Sequence, residues 1–149
     1  MVTFVIERTI SAPQDEVFAW LNDSSNYTAA PLCLREKRTR DGVDAPYGKG
    51  AMREVTGAGA WFREEITSFD PPREFGYLIH KSFPTIEHKG GAIRVEPVPG
   101  GSHVTWTTEF TVPLRGGGKA FERLAGPLLR TAFGQILAAC DKQLAGSRR

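Results

Sequence analysis

Arg8-Thr9-Ile10-Ser11-Ala12-Pro13, running directly into Gln14-Asp15-Glu16-Val17-Phe18-Ala19-Trp20-Leu21-Asn22-Asp23, decides how this chain is read. Val2, Phe4, Ile6, Arg8 and Ile10 share one face of an alternating strand, and Thr3, Val5, Glu7 and Thr9 share the other. That pattern is a half-buried strand with its even positions inward. Ser11 is expected to cap the following helix, with Pro13 in its first turn, where no N–H is needed. Val17, Phe18 and Leu21 recur at helical spacing beside Trp20, and Asp15 and Glu16 stand where the helix dipole favours negative charge. Asn22 to Asn26 ends this helix, and Tyr27 to Ala30 suggests a second short one before Pro31.

Outward from this stretch, strands are expected at Leu32–Arg40, Gly50–Thr56, Ala60–Phe69, Glu74–Lys81, Gly91–Pro97 and Ser102–Pro113. The breaks between them are Asp41-Gly42, Tyr47-Gly48, Gly57-Ala58-Gly59, Asp70-Pro71-Pro72 and Pro99-Gly100-Gly101, which are turn residues. Strands so closely spaced, with no helix between them, pair antiparallel as a meander. Phe121, Leu124, Leu128, Leu129, Ala132, Phe133, Ile136, Leu137, Cys140 and Leu144 then keep a three- and four-residue spacing, so Lys119 to Leu144 reads as one long amphipathic helix. Gly126-Pro127 inside it predicts either a kink or a break. Gly116-Gly117-Gly118 is a hinge candidate and not a phosphate loop, because no Gly-Lys-Ser/Thr ending follows.

The 149 residues, 24% charged and 40% apolar, fit one ordinary globular domain over 1–149. A net charge of +2 gives no argument for nucleic acid, and the cluster Arg35, Lys37, Arg38 and Arg40, interrupted by Glu36 and Asp41, reads as a solvated strand face. No charged leader precedes an apolar core, and no apolar run approaches the roughly 20 residues of a membrane span. Cys33 and Cys140 form no Cys-x-x-Cys motif, so the expectation is a reduced, cytoplasmic protein.

Arg8-Thr9-Ile10-Ser11-Ala12-Pro13 with Val17-Phe18, Phe69-Asp70-Pro71-Pro72-Arg73-Glu74-Phe75, Pro99-Gly100-Gly101-Ser102-His103-Val104-Thr105-Trp106 and the long final helix together resemble the START-like, helix-grip superfamily of polyketide cyclases and dehydratases, lipid-transfer domains and plant pathogenesis-related proteins. The resemblance covers essentially the whole chain. It implies an α+β fold, a seven-stranded antiparallel curved sheet in the order β-α-α-β6-α gripping the C-terminal helix, with ligands between the concave sheet and that helix. It does not imply one chemistry, because such folds change function by changing the site.

Catalytic sets are scarce. There is no Gly-x-Ser-x-Gly elbow and no Cys/His metal spacing, and the iron–sulfur ligands of ring-hydroxylating oxygenases, which share the implied fold, are missing. His80 and His88 flank one turn, but two histidines without a third ligand hold a metal weakly, so no metal and no cofactor are expected. Arg8, on an inward position, needs either a carboxylate such as Glu64 or Glu54 or a ligand anion. Phe62, Glu64 and Ile66 share one face of their strand, where a carboxylate among aromatics is either a general acid or base or simply paired. Tyr77 and His80 complete the catalytic candidates, and Tyr77 is equally a sheet filler. The expected ligand wall is Phe62, Ile66, Tyr77, Ile79, Trp106 and Phe110 from the sheet, with Leu129, Phe133 and Ile136 from the helix.

Three readings follow in order. The first is a cavity protein whose partner is a small hydrophobic molecule, lipid- or polyketide-like. The second is a cyclase or dehydratase using Arg8, Glu64, Tyr77 or His80 converging on one cavity. The third is a protein-interaction module, because chaperone-activating domains share a similar Arg-Thr-x-x-Ala-Pro opening. That last reading predicts a filled cavity and an exposed apolar patch.

Overall fold

In a computed structural model the protein is described over residues 2–146. Strand β1 is Val2–Ile10, helix α1 Gln14–Asn22, and a 3-10 helix follows at Ser24–Ala29. Six strands come next: β2 Cys33–Arg40, β3 Met52–Gly57, β4 Ala60–Asp70, β5 Glu74–Phe83, β6 Glu87–Val98 and β7 Gly101–Thr111. A short 3-10 turn at Leu114–Gly116 leads into helix α2, Gly118–Gly146.

The seven strands form one antiparallel sheet in the order β1-β7-β6-β5-β4-β3-β2. β2 to β7 are therefore a plain meander, and β1 closes it by pairing with β7 from Val2↔Phe110 to Ile10↔Ser102. The β1–β7 junction depends on Gly101, because a Cβ there would stand 2.1 Å from the Ile10 carbonyl oxygen. Next to it, the Ser102 hydroxyl donates to the Ala12 carbonyl at 2.7 Å, which fixes the corner leading into α1.

Alternation puts one face of the sheet inside. On β7 Ser102, Val104, Trp106, Thr108 and Phe110 are buried and their neighbours are not. Phe4, Ile6 and Ile10 do the same on β1, while Val5 is half exposed on the outer face. The inner face curves around α2, and α1 closes one end by packing Phe18 edge-on to Phe75 with ring centroids 5.7 Å apart. Trp20 Nε1 on α1 donates to Gln143 on α2 at 2.9 Å, so the two helices are joined by a polar as well as an apolar contact.

Some local expectations are corrected. Ser11 is exposed, and the residue at the helix start is Pro13, with no side-chain cap; Val17 N–H donates to the Pro13 carbonyl instead. Helix α2 continues through Pro127 without a break, and the Pro127 carbonyl accepts from the Thr131 hydroxyl at 2.9 Å. β6 begins at Glu87, four residues before the expected Gly91, and this shift matters for the site.

A cavity between the sheet and the long helix

A cavity of about 90 Å³ lies between the concave sheet and α2. Val55, Phe62, Ile79, Trp106 and Phe110 form its sheet wall, and Leu128, Leu129, Ala132, Phe133 and Ile136 its helix wall. Trp106 and Phe133 stack almost parallel, 6° apart with centroids at 4.3 Å, and so join the two walls. Ala58 from the β3–β4 turn, Ala60 at the start of β4 and Ile86 from the β5–β6 connection complete this part of the lining, and Leu128 on the helix wall is half exposed.

One side of this apolar space is polar. Arg53 and Glu64 face each other across the β3–β4 hairpin, and Arg53 Nε donates to Glu64 Oε1 at 2.9 Å. Their side chains are 1% and 10% exposed, so this is a buried ion pair and not a surface one. Burial works against the guanidinium charge, but the Glu64 carboxylate, together with Tyr27 and Tyr77, outweighs it and pushes the Arg53 pKa up. The guanidinium carbon lies 5.5 Å from the centre of the Tyr27 ring, another wall residue, and 5.9 Å from that of Phe75. Its Nη1 has no hydrogen-bond partner among the described residues.

His88 and Thr108 add a second polar element. Ile79 N–H donates to His88 Nδ1 at 3.0 Å. A backbone N–H can only donate, so Nδ1 is the bare nitrogen, and the ring proton is on Nε2, donated to Thr108 Oγ1 at 2.7 Å. Burial lowers the His88 pKa to about 4, which keeps the ring neutral. The Thr108 hydroxyl in turn supports the Tyr77 hydroxyl, which also accepts from Trp106 Nε1 at 2.9 Å. Burial pushes the Tyr77 pKa up to about 12. This chain of donors orients the walls: the ring proton of His88 is committed to Thr108, and Tyr77 stays protonated at neutral pH.

The nine residues expected on the ligand wall divide. Phe62, Ile79, Trp106, Phe110, Leu129, Phe133 and Ile136 border the cavity. Ile66 and Tyr77 are on the same sheet face but fully packed behind it. The four catalytic candidates do not converge. Glu64 reaches the cavity. Tyr77 lies behind the wall. His80 is on the outer face, 2.7 Å from Glu65. Arg8 is exposed and pairs with Asp141 on the last turns of α2 at 3.1 Å. The partners anticipated for it are taken: Glu64 by Arg53 and Glu54 by Arg63. Although Arg8 has inward parity, it stands near the end of β1, where the helix presents a charged residue and water has access.

Arg53, Tyr27 and Thr108 are wall residues that the sequence reading did not single out, and His88, weighed there only with His80 as a weak metal pair, is a fourth. No group of three or more His, Cys, Asp or Glu side chains suited to a metal occurs among the described residues. The basic run on β2 is solvated, with Arg38 held by Asp41 at 2.8 Å and Arg40 donating to the Gly50 carbonyl. No helix among the described residues is long and apolar enough to cross a membrane.

A curved seven-stranded antiparallel sheet closed on a long C-terminal helix, with a cavity between them, is the helix-grip architecture. The chain belongs to the family described as polyketide cyclase / dehydrase and lipid transport, which it matches over residues 1–145. Among solved structures it resembles a protein from Thermus thermophilus, at 14% identity and a TM-score of 0.79 over 99% of this chain and 100% of that one. It also resembles a START superfamily protein from Mycobacterium smegmatis, at 11% identity and a TM-score of 0.74 over 95% and 98%. A third is a norcoclaurine synthase point mutant from Thalictrum flavum in complex with a transition-state analogue, at 15% identity and a TM-score of 0.69 over 99% and 98%. No curated protein sequence matches the chain. Family and fold thus indicate a hydrophobic-ligand-binding helix-grip protein.

Proposed function

We propose that this chain binds a compact apolar or aromatic molecule in the cavity between the sheet and α2. The observation that carries the reading is the wall itself. Apolar side chains from both layers surround a space that packing leaves open, although protein interiors are ordinarily filled. At about 90 Å³ the space is well below the roughly 300–1,000 Å³ of drug-sized ligand sites. The ligand is then no larger than a single ring, which itself needs the wall to relax, since an apolar cavity that takes benzene is about 150 Å³. A longer lipid or polyketide requires α2 or the neighbouring turns to move outward.

A second reading, an enzyme acting on an enolisable carbonyl, has one observation in its favour. Glu64 places a carboxylate at the cavity beside a guanidinium that would hold a developing oxyanion. It ranks second because that carboxylate is already bonded to Arg53, and because Arg8, Tyr77 and His80 are elsewhere. The interaction-module reading ranks third, since its filled cavity is at odds with the open space between Trp106 and Ile136.

Gentle native mass spectrometry of the purified protein, followed by solvent extraction, tests the first reading when paired with Ala132→Phe. Ala132 is on the helix wall, and a phenyl ring there occupies the space. The expected result is a co-purifying or added small apolar molecule that the wild type retains and the variant releases, with unchanged circular dichroism. Equal retention by both proteins contradicts the reading.

A further inference from the structure

Charge decides what kind of head group this cavity accepts. The titratable wall residues are Tyr27, Cys33, Arg53, Glu64 and His88. Tyr27 and Cys33 are held protonated by burial, and His88 is neutral through its bare Nδ1. Among the described residues, the only formal charges on the wall are therefore Arg53 and Glu64, which cancel each other at 2.9 Å. An anionic ligand would add an uncompensated charge beside Glu64 in an environment that solvates charge poorly, and a cation would do the same beside Arg53. An ionised head group is disfavoured with either sign.

The polar side nevertheless retains one unmet need. Arg53 is 1% exposed, and its Nη1, shielded from water, has no partner in bonding geometry among the described residues. The Tyr27 hydroxyl beside it donates to the Leu21 carbonyl, and a ligand reaches Nη1 as the adjoining wall side chains give way. Nε is occupied by Glu64, and a guanidinium nitrogen can only donate. The group that satisfies Nη1 must be an acceptor, and by the charge argument it must be neutral. A carbonyl oxygen on an aromatic or alicyclic ring meets both conditions and suits the remaining apolar wall.

Building on the container reading above, we propose that the ligand of this cavity is a neutral ring ketone or amide whose carbonyl oxygen accepts from Arg53 Nη1, and that the Arg53–Glu64 pair excludes carboxylates of the same shape. Glu64 has two functions here. It keeps the guanidinium charged, and it holds the net charge of the cavity at zero, so it acts as the element that rejects anions.

Four ligands matched in size test this, with binding followed by isothermal calorimetry and by the fluorescence of Trp106, which stacks on Phe133 in the wall. They are acetophenone, benzamide, ethylbenzene and benzoate. Acetophenone and benzamide are expected to bind about tenfold to a hundredfold more tightly than ethylbenzene, the range for a hydrogen bond to a charged donor. Benzoate is expected to bind less tightly than either carbonyl compound.

In the double variant R53M/E64L the ratio of acetophenone to ethylbenzene affinity should fall to about one. In Glu64→Gln the cavity gains a net positive charge, and benzoate should overtake acetophenone. This second variant keeps the test decisive if the first does not fold. Equal affinities for acetophenone and ethylbenzene in the wild type, or benzoate as its tightest ligand, overturn the head-group proposal and leave the container reading standing. No binding by any of the four, together with no co-purifying molecule, overturns the container reading and this proposal with it.

Discussion

Replacing Glu64 by leucine leaves Arg53 charged, buried and unpaired, and the cost of that single change can be worked from the geometry. The pair is 2.9 Å apart with side chains 1% and 10% exposed, so little water can compensate the loss. Breaking a buried pair by removing one partner costs about 3–5 kcal/mol. For a chain of this size each kcal/mol lowers Tm by about 2–4 °C, so the expected drop is roughly 6–20 °C. The double variant R53M/E64L removes both charges and fills similar volume. It is expected within about 1–2 kcal/mol of the wild type, or above it, because desolvation of the pair offsets most of its attraction. The assay is urea unfolding by circular dichroism on the wild type, both single variants and the double, at unchanged m-value. With each single variant costing about 3–5 kcal/mol and the double no more than about 2, the cycle is expected to return a coupling energy of at least about 4 kcal/mol. Glu64→Leu costing under about 1 kcal/mol, or a double variant as unstable as the sum of the singles, refutes the reasoning.

Other outcomes follow from the same structure. Arg8→Ala, which loses a largely solvated pair with Asp141, is expected to cost less than about 1 kcal/mol by urea unfolding, in contrast to Glu64→Leu. Lowering the pH tests His88. Burial holds its pKa near 4 in the folded protein, against 6.5 when exposed, so between these values the unfolded chain binds the extra proton. Stability from this group is therefore present above about pH 6.5 and falls as the pH drops toward 4. The loss is about 1–2 kcal/mol for a residue with some solvent contact, and His88→Gln should remove that component from the pH-stability curve. Gly91→Ala puts a methyl group within 2.7 Å of Tyr77 ring atoms, and a loss of about 1–3 kcal/mol in thermal unfolding is expected.

The fold was legible because its signals are local. Strict alternation in β1 and β7, turn residues between strands and the spacing from Phe121 to Leu144 each state one element, and antiparallel meandering leaves few ways to assemble them. The site was legible where facing follows parity on the strands, as at Phe62, Trp106 and Phe110, and helical spacing on α2, as at Phe133. It was lost where a bulge resets parity. A register shift between His88 and Gly90 turns His88 inward although Ile93 and Val95 are the inward residues of the same strand. Arg53 is a different case. With the turn at Ala58-Gly59, counting back along the hairpin from Gly57↔Ala60 pairs Arg53 with Glu64, so the signal was present in the sequence. Arg8 depended on which α2 residue lies above the end of β1, and no pattern within either segment states that.

The most direct test of the central claim is heteronuclear NMR on the ¹³C-methyl-labelled protein titrated with acetophenone. The container account predicts shifts concentrated at Ile79, Ile86, Leu129 and Ile136 and at the Trp106 indole N–H, with Val43 and Leu114, exposed and outside the cavity wall, unchanged. Shifts confined to exposed residues such as Val43 and Leu114, or none at saturating ligand, would contradict it.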